Sequence, residues 1–196
     1  ADAAAWRWGR AGTTDRGGTC PGIWAVGMTK RKPLPDAEYL RSLFVYESDT
    51  GLLRWRIDRS NKRAGDIAGA RRGEAGYLQV SIDNRLYRVH LVIWKMVTGE
   101  EPPNFIDHRD TKKWNNRWGN LRPATKSQNQ ANIGLTIRNK TGRKSVFWYK
   151  TYQKWAVQVW KDGRAYFGGY HVTAEAASEA ADNLRYKLFG EFARAA

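Results

Sequence analysis

The residues best suited to chemistry lie in one central stretch. Asp107 and His108 set a carboxylate beside an imidazole, and amide side chains return at Asn120 and Asn129, twelve and twenty-one residues after His108. A neutral imidazole takes a proton from water near neutral pH, and a carboxylate with an amide oxygen suits a hard cation that withdraws charge from a phosphate. Such groups must be brought together by the fold. Phe105 to His108 reads as a short strand, Arg109 to Gly119 as a polar loop, and Asn120 to Arg122 as a returning strand. A helix is expected over 123–132, with Thr125 near its N-cap, so that Asp107 and His108 end a strand opposite a helix bearing Asn129.

Composition points to the partner. The chain has 196 residues, a formal net charge of +15 and 10 Trp among its many Lys and Arg, a surface that attracts a polyanion. No run of about eighteen apolar residues suggests a membrane span. Double-stranded DNA is the expected partner, with no membrane association and a monomer in solution. Cys20 is the single cysteine, which excludes a disulfide framework and a thiolate metal cluster and fits a reducing cytosol.

Residues 1–27 are Gly-rich and without period, and are expected to be disordered or a non-native extension, since Met28 to Pro35 reads like a fresh start. An ordinary basic tail is the open alternative. A nuclease-like unit is expected over 28–132, opening with a short helix at Asp36 to Phe44. Hairpins follow around Asp49-Thr50-Gly51 and Asp83-Asn84, and then a helix over His90 to Thr98 stopped by Gly99 and Pro102-Pro103. His90, at the mouth of that helix, reads either as a packed residue or as part of the site.

The stretch Asp107-His108, Asn115-Asn116-Arg117, Asn120-Leu121-Arg122 and Asn129 resembles the HNH endonucleases, especially the phage and intron-encoded homing branch with its ββα-metal core. That resemblance implies one Mg²⁺ or Mn²⁺ ion per active site held by Asp107 and Asn129, with His108 as general base. It implies that Asn120 fixes the metal loop and orients His108, with His90, Asn116 and Arg122 as supporting residues. The loop Arg109 to Trp114 is more basic and aromatic than the usual form, which changes loop contacts more than chemistry.

Residues 133–142 are polar, basic and Gly-containing, a linker composition. In 143–196, three strands at Ser145–Lys150, Lys154–Trp160 and Arg164–Gly168 precede a helix from Ala174 to Phe189 capped by Thr173. Period two assigns Val146, Trp148, Trp155, Val157, Val159, Ala165 and Phe167 to the helix side. Phe147, Tyr149, Gln158, Trp160, Arg164 and Tyr166 are then expected outward, to contact DNA together with Arg143 and Lys144. Lys154 to Val159, Gly163-Arg164, Phe167 to Tyr170, Thr173 to Ala177 and Phe189 to Phe192 resemble the Apetala-type (ethylene-response-factor) DNA-binding domain.

The expected fold class is therefore α+β: a ββα-metal core with a β-rich lead-in, plus a small three-stranded antiparallel sheet packed on one helix. The expected activity is metal-dependent hydrolysis of a DNA phosphodiester, of homing type. The alternatives are a DNA-binding regulator with an inactive core and a phage nuclease of low sequence preference.

Overall fold

A computed structural model of the chain describes residues 33–59, 61–72, 76–135 and 139–194; the expectation for 1–27 lies outside the described residues. The first elements form around apolar residues spaced to meet one core. Helix α1 (Ala37–Leu43) follows Asp36, whose carboxylate makes no capping hydrogen bond, and it buries Leu40 and Leu43. Strands β1 (Phe44–Glu47) and β2 (Leu52–Trp55) pair antiparallel around the expected turn, with Phe44 opposite Trp55.

Next comes a small sheet of β3 (Ala70–Arg71), β4 (Leu78–Ile82) and β5 (Arg85–Arg88). Asp83 and Asn84 join β4 to β5 with φ of 48° and 60°, the left-handed pair that a two-residue hairpin requires. Helix α2 (Val89–Thr98) buries Val89, His90, Val92, Ile93 and Met96 and ends at Gly99, left-handed at φ 78°. Leu40, Phe44, Leu53, Ile82, Val92 and Ile93 form one core with Ile106 and Leu121, so the lead-in is the platform on which the central ribbon rests.

That ribbon is β6 (Phe105–His108) paired with β7 (Leu121–Ala124), the latter entered through a 3-10 turn at Trp118–Asn120. Helix α3 (Lys126–Asn132) follows. Thr125 caps it as expected, accepting from the Gln128 amide while the Gln128 side chain accepts from the Thr125 N–H.

The C-terminal sheet has the order β10-β9-β8, built from β8 (Val146–Tyr149), β9 (Lys154–Lys161) and β10 (Arg164–His171). Helix α4 (Ala174–Phe189) starts at Thr173 and ends before a 3-10 turn at Gly190–Phe192. Ala177 and Ala181 are fully buried against Val146 and Val157; a small-residue face lets the helix lie close to the sheet. Two faces of β10 differ from expectation. The two-residue turn Asp162-Gly163 pairs Arg164 with Lys161, Ala165 with Trp160, Tyr166 with Val159 and Phe167 with Gln158. Cross-strand partners share a face, so Arg164 and Tyr166 lie on the helix side with Val159, whereas Ala165 and Phe167 lie outward with Trp160. Phe167 is accordingly 58% exposed and touches the ring of Tyr170, which in turn touches Tyr149.

Residues 33–196 form one compact unit. Ala131 of α3 shares a core cluster with Val159, Phe189 and Phe192, and the Asp162 N–H donates to Ser127 Oγ at 2.9 Å. Lys144 donates to the carbonyls of Ala131 and of Ile133, closing the C-terminal end of α3. Gly168 marks a point of close packing, because a Cβ there would stand 2.5 Å from Val157 Cγ1 and 3.2 Å from Leu184 Cδ2. Gly168→Ala is therefore expected to destabilise the chain by about 1–3 kcal/mol through overpacking, read as a lower urea midpoint.

Candidate active site

The ribbon register decides where the two central side chains go. Asp107 stands opposite Arg122 and His108 opposite Leu121, and alternation along β6 sends Asp107 and His108 to different surroundings. Both are buried.

Asp107 Oδ2 accepts from Arg122 Nε at 2.9 Å and Nη2 at 2.8 Å. Arg122 is held from the other side by Phe192, whose ring centroid lies 3.6 Å from its Cζ, and by the Glu191 carbonyl, which accepts from Nη1 at 3.2 Å. A buried charge without a partner costs several kcal/mol, and here the carboxylate and the guanidinium each supply the other's. The third group is Asn132. Its Nδ2 lies 2.9 Å from Asp107 Oδ1, 3.0 Å from Asp107 Oδ2 and 2.9 Å from the His108 carbonyl oxygen. An amide nitrogen has two hydrogens, yet three oxygens converge on this one.

That convergence tests whether a hard divalent ion suits these residues. Carboxylate, backbone carbonyl and Asn oxygens are the ligands Mg²⁺ and Mn²⁺ prefer, and turning the Asn132 amide about its last bond would add Oδ1 to the set. Among the described residues no three His, Cys, Asp or Glu side chains cluster, so the donor set is oxygen-rich and unlike a zinc site. The residues fit the ion. Asn129 lies one turn before Asn132 on α3, half-buried, with no side-chain hydrogen bond among the described residues. Asn132 was not singled out from the sequence; its signal is the three-residue spacing from Asn129, which puts both on one helix face.

His108 faces a different set. Its Nε2 lies 3.1 Å from Asn116 Oδ1, and its ring meets the edge of His90 at 5.2 Å and the ring of Tyr77 at 6.0 Å. Burial holds its pKa below the ordinary histidine value, against the opposing pull of Asn116, Asp110 and Asp107. Tyr77 comes from the lead-in, and Arg88 and Lys113 sit over its ring at 4.6 Å and 5.1 Å. Its place in the site had no sequence signal, because nothing in local spacing reports a contact across thirty residues.

Asn120 closes the loop between the two strands. Its Nδ2 donates to Asp110 Oδ1 at 2.9 Å and to the Asn115 carbonyl at 2.7 Å, and its Oδ1 accepts from the Asp110 N–H at 3.0 Å. Its side chain thus braces the loop; the hydrogen bond to the His108 ring comes from Asn116. Of the expected DNA contacts, Arg143 pairs with Glu175 at 2.6 Å and Lys144 is engaged at the end of α3, while Phe147, Tyr149 and Trp160 are exposed and Gln158 half-buried on the outer face.

Residues 87–131, which run from β5 to α3, match the family described as HNH endonuclease. Over this segment, which holds Asp107, His108, Asn120 and Asn129, the chain is similar to the HNH endonucleases. The chain is 32% identical over 123 residues to a protein named uncharacterized HNH endonuclease L560 from Acanthamoeba polyphaga mimivirus, covering 62% of this chain and 63% of that one. It is 29% identical over 108 residues to protein 3.8 of Escherichia phage T7, covering 55% of this chain and 88% of that one. The chain thus spans less than two thirds of the mimivirus protein. No solved structure matches it. No helix among the described residues is long and apolar enough to cross a membrane.

The loop between β6 and β7 should respond to acid through Asp110. Partial burial alone would raise its carboxyl pKa, but hydrogen bonds from the Asn115 and Asn120 side chains and the Lys112 N–H bring it below the ordinary 3.8. A depressed carboxyl contributes its stability in full above the unfolded value and loses it as pH falls through the lower folded value. Protection of the amides of 109–117 against exchange, relative to their intrinsic rates at each pH, is therefore expected to hold down to about pH 4 and to fall below it. In Asp110→Asn that acid step should vanish.

Proposed function

We propose that this chain is a metal-dependent DNA endonuclease of homing type, hydrolysing a phosphodiester within double-stranded DNA in the phage or bacterial host cytosol. The observation that carries the reading is the meeting of a buried, hydrogen-bonded imidazole with an oxygen cluster one residue away, within an HNH domain on a chain of net charge +15. Nucleic acid is the partner such a charge favours.

His108 is the general base. It takes a proton from water as the water oxygen bonds to phosphorus and the P–O3′ bond breaks, leaving a 5′-phosphate and a 3′-oxygen that is protonated from solvent. Asp107, the His108 carbonyl and an amide oxygen from Asn129 or Asn132 would hold one Mg²⁺ or Mn²⁺ ion. When bound, that ion supplies charge withdrawal from the phosphate and stabilisation of the departing oxygen. Arg122 holds the Asp107 carboxylate in place, and Asn120 keeps the intervening loop in one shape.

The C-terminal sheet and helix, which resemble the Apetala-type domain, supply the grip on DNA. Phe147, Tyr149, Gln158 and Trp160 form the contact face. With Arg164 and Tyr166 turned to the helix side, Phe167 and Tyr170 take their place, so the face offers rings to sugars and thymine methyls more than guanidinium groups to guanine.

Purified protein with Mg²⁺ or Mn²⁺ is expected to nick or cut plasmid DNA, and chelation with EDTA to stop it. His108→Ala should lower the cleavage rate by about 10²–10⁴ while leaving DNA affinity nearly unchanged. Equal cleavage by both proteins, or none by the wild type on any DNA, overturns the mechanism. Separately, Trp160→Ala combined with Phe147→Ala should weaken DNA binding in a fluorescence anisotropy titration. An unchanged affinity would remove the outer sheet face from the reading.

A further inference from the structure

We infer that Asn116 is a positioning residue that fixes the tautomer and facing of His108, and that the β1–β2 hairpin, which lies outside the segment matched to the HNH family, holds Asn116 in place. The inference rests on His108 being the base of the HNH domain. A base must present a bare ring nitrogen to water, and a neutral imidazole has one such nitrogen, chosen by the partner of the other. Here the partner is Asn116 Oδ1, 3.1 Å from Nε2. A carbonyl oxygen only accepts, so Nε2 carries the hydrogen and Nδ1 the lone pair.

Asn116 is suited to this work and to little else. It is 1% exposed, and its Nδ2 has no hydrogen-bond partner among the described residues, a rare condition for a buried donor. Retaining an amide there makes sense if its oxygen has a task. That oxygen reaches His108 because the backbone beneath it is held by distant residues. Tyr46 of β1 donates its hydroxyl to the Asn116 carbonyl at 2.8 Å, and burial pushes the Tyr46 pKa up to about 12, so the hydroxyl keeps its proton. The turn between β1 and β2 presses on the same peptide. A Cβ on Gly51, at φ 75°, would stand 2.5 Å from Arg117 N and 2.7 Å from the Asn116 carbonyl carbon. The Ser48 carbonyl accepts from the Trp118 N–H at 3.4 Å, a weaker third tie. The hairpin thus reaches the base through one residue.

The test reads the tautomer directly. Long-range ¹H–¹⁵N NMR of full-length protein labelled on its histidine rings, without metal at about pH 8 where imidazoles are neutral, resolves the three histidines. The His108 signal is identified by its loss in His108→Gln. The expected result is hydrogen on Nε2 and a bare Nδ1 in the wild type, a mixture of both tautomers in Asn116→Ala, and recovery of the wild-type tautomer in Asn116→Asp, which keeps the acceptor. In cleavage assays Asn116→Ala should lower kcat at least tenfold with little change in KM for DNA, and Asn116→Asp should recover part of it. Hydrogen on Nδ1 in the wild type, or one tautomer ratio in wild type and Asn116→Ala, overturns the proposal. Should Asn116→Ala fail to fold, Tyr46→Phe removes a single hydroxyl. A second tautomer then supports the brace, and an unchanged ratio overturns it. Absence of DNA cleavage by wild type would sink the nuclease reading while leaving the tautomer result to stand by itself.

Discussion

The structure depends on a single buried ion pair, Asp107 with Arg122, set directly opposite each other across two short strands. Removing either partner of such a pair leaves an unpaired charge inside the protein, a loss of about 3–5 kcal/mol. The pair therefore fixes more than its own geometry. It settles the register of β6 and β7, since a slip of one residue would bury one charge without the other. It also places the next side chain, His108, on the opposite side of the ribbon. The oxygens of Asp107 and of the His108 backbone then meet at Asn132, and the imidazole meets Asn116.

The loop between the strands is held by side-chain bonds rather than by a regular ladder. Asn120 ties its two ends, and Asp110 accepts from Asn120, from the Asn115 side chain and from the Lys112 N–H. The loop can thus carry Arg109, Lys112 and Lys113, an uncommonly basic run, without losing shape. Its cations remain disposed around the site. Lys112 lies over the ring of Trp114 and Lys113 over that of Tyr77.

Much of this was legible in the sequence. The spacing from His108 to Asn120 and Asn129, the Thr125 cap, Gly99 and the Asp83-Asn84 turn each have a local physical cause, and the ribbon, α2, α3 and α4 follow from them. Asn116, His90 and Arg122 were expected near the site and lie against His108 or Asp107. What escaped has two causes. Tyr46 and Tyr77 reach the site through packing between distant elements, which periodicity does not report. The faces of β10 escaped for a different reason. Apolar Ala165 and Phe167 invited an inward reading, but the two-residue turn at Asp162-Gly163 sets the pairing, and pairing overrides hydrophobicity at the edge of a small sheet.

The position of Arg122 also bears on how such proteins can be assembled. Its guanidinium lies between the Asp107 carboxylate and the Phe192 ring, and Glu191 contributes both a carbonyl and a carboxylate, the latter shared with Arg109. The last turn of the C-terminal unit is thus part of the wall around the central carboxylate. A gene fusion that exchanged this unit for another module would have to bring an aromatic ring and a backbone acceptor to the same spot. The two halves are therefore coupled through one guanidinium, and replacing the C-terminal unit alone would strip Arg122 of the ring and the carbonyl that hold it against Asp107.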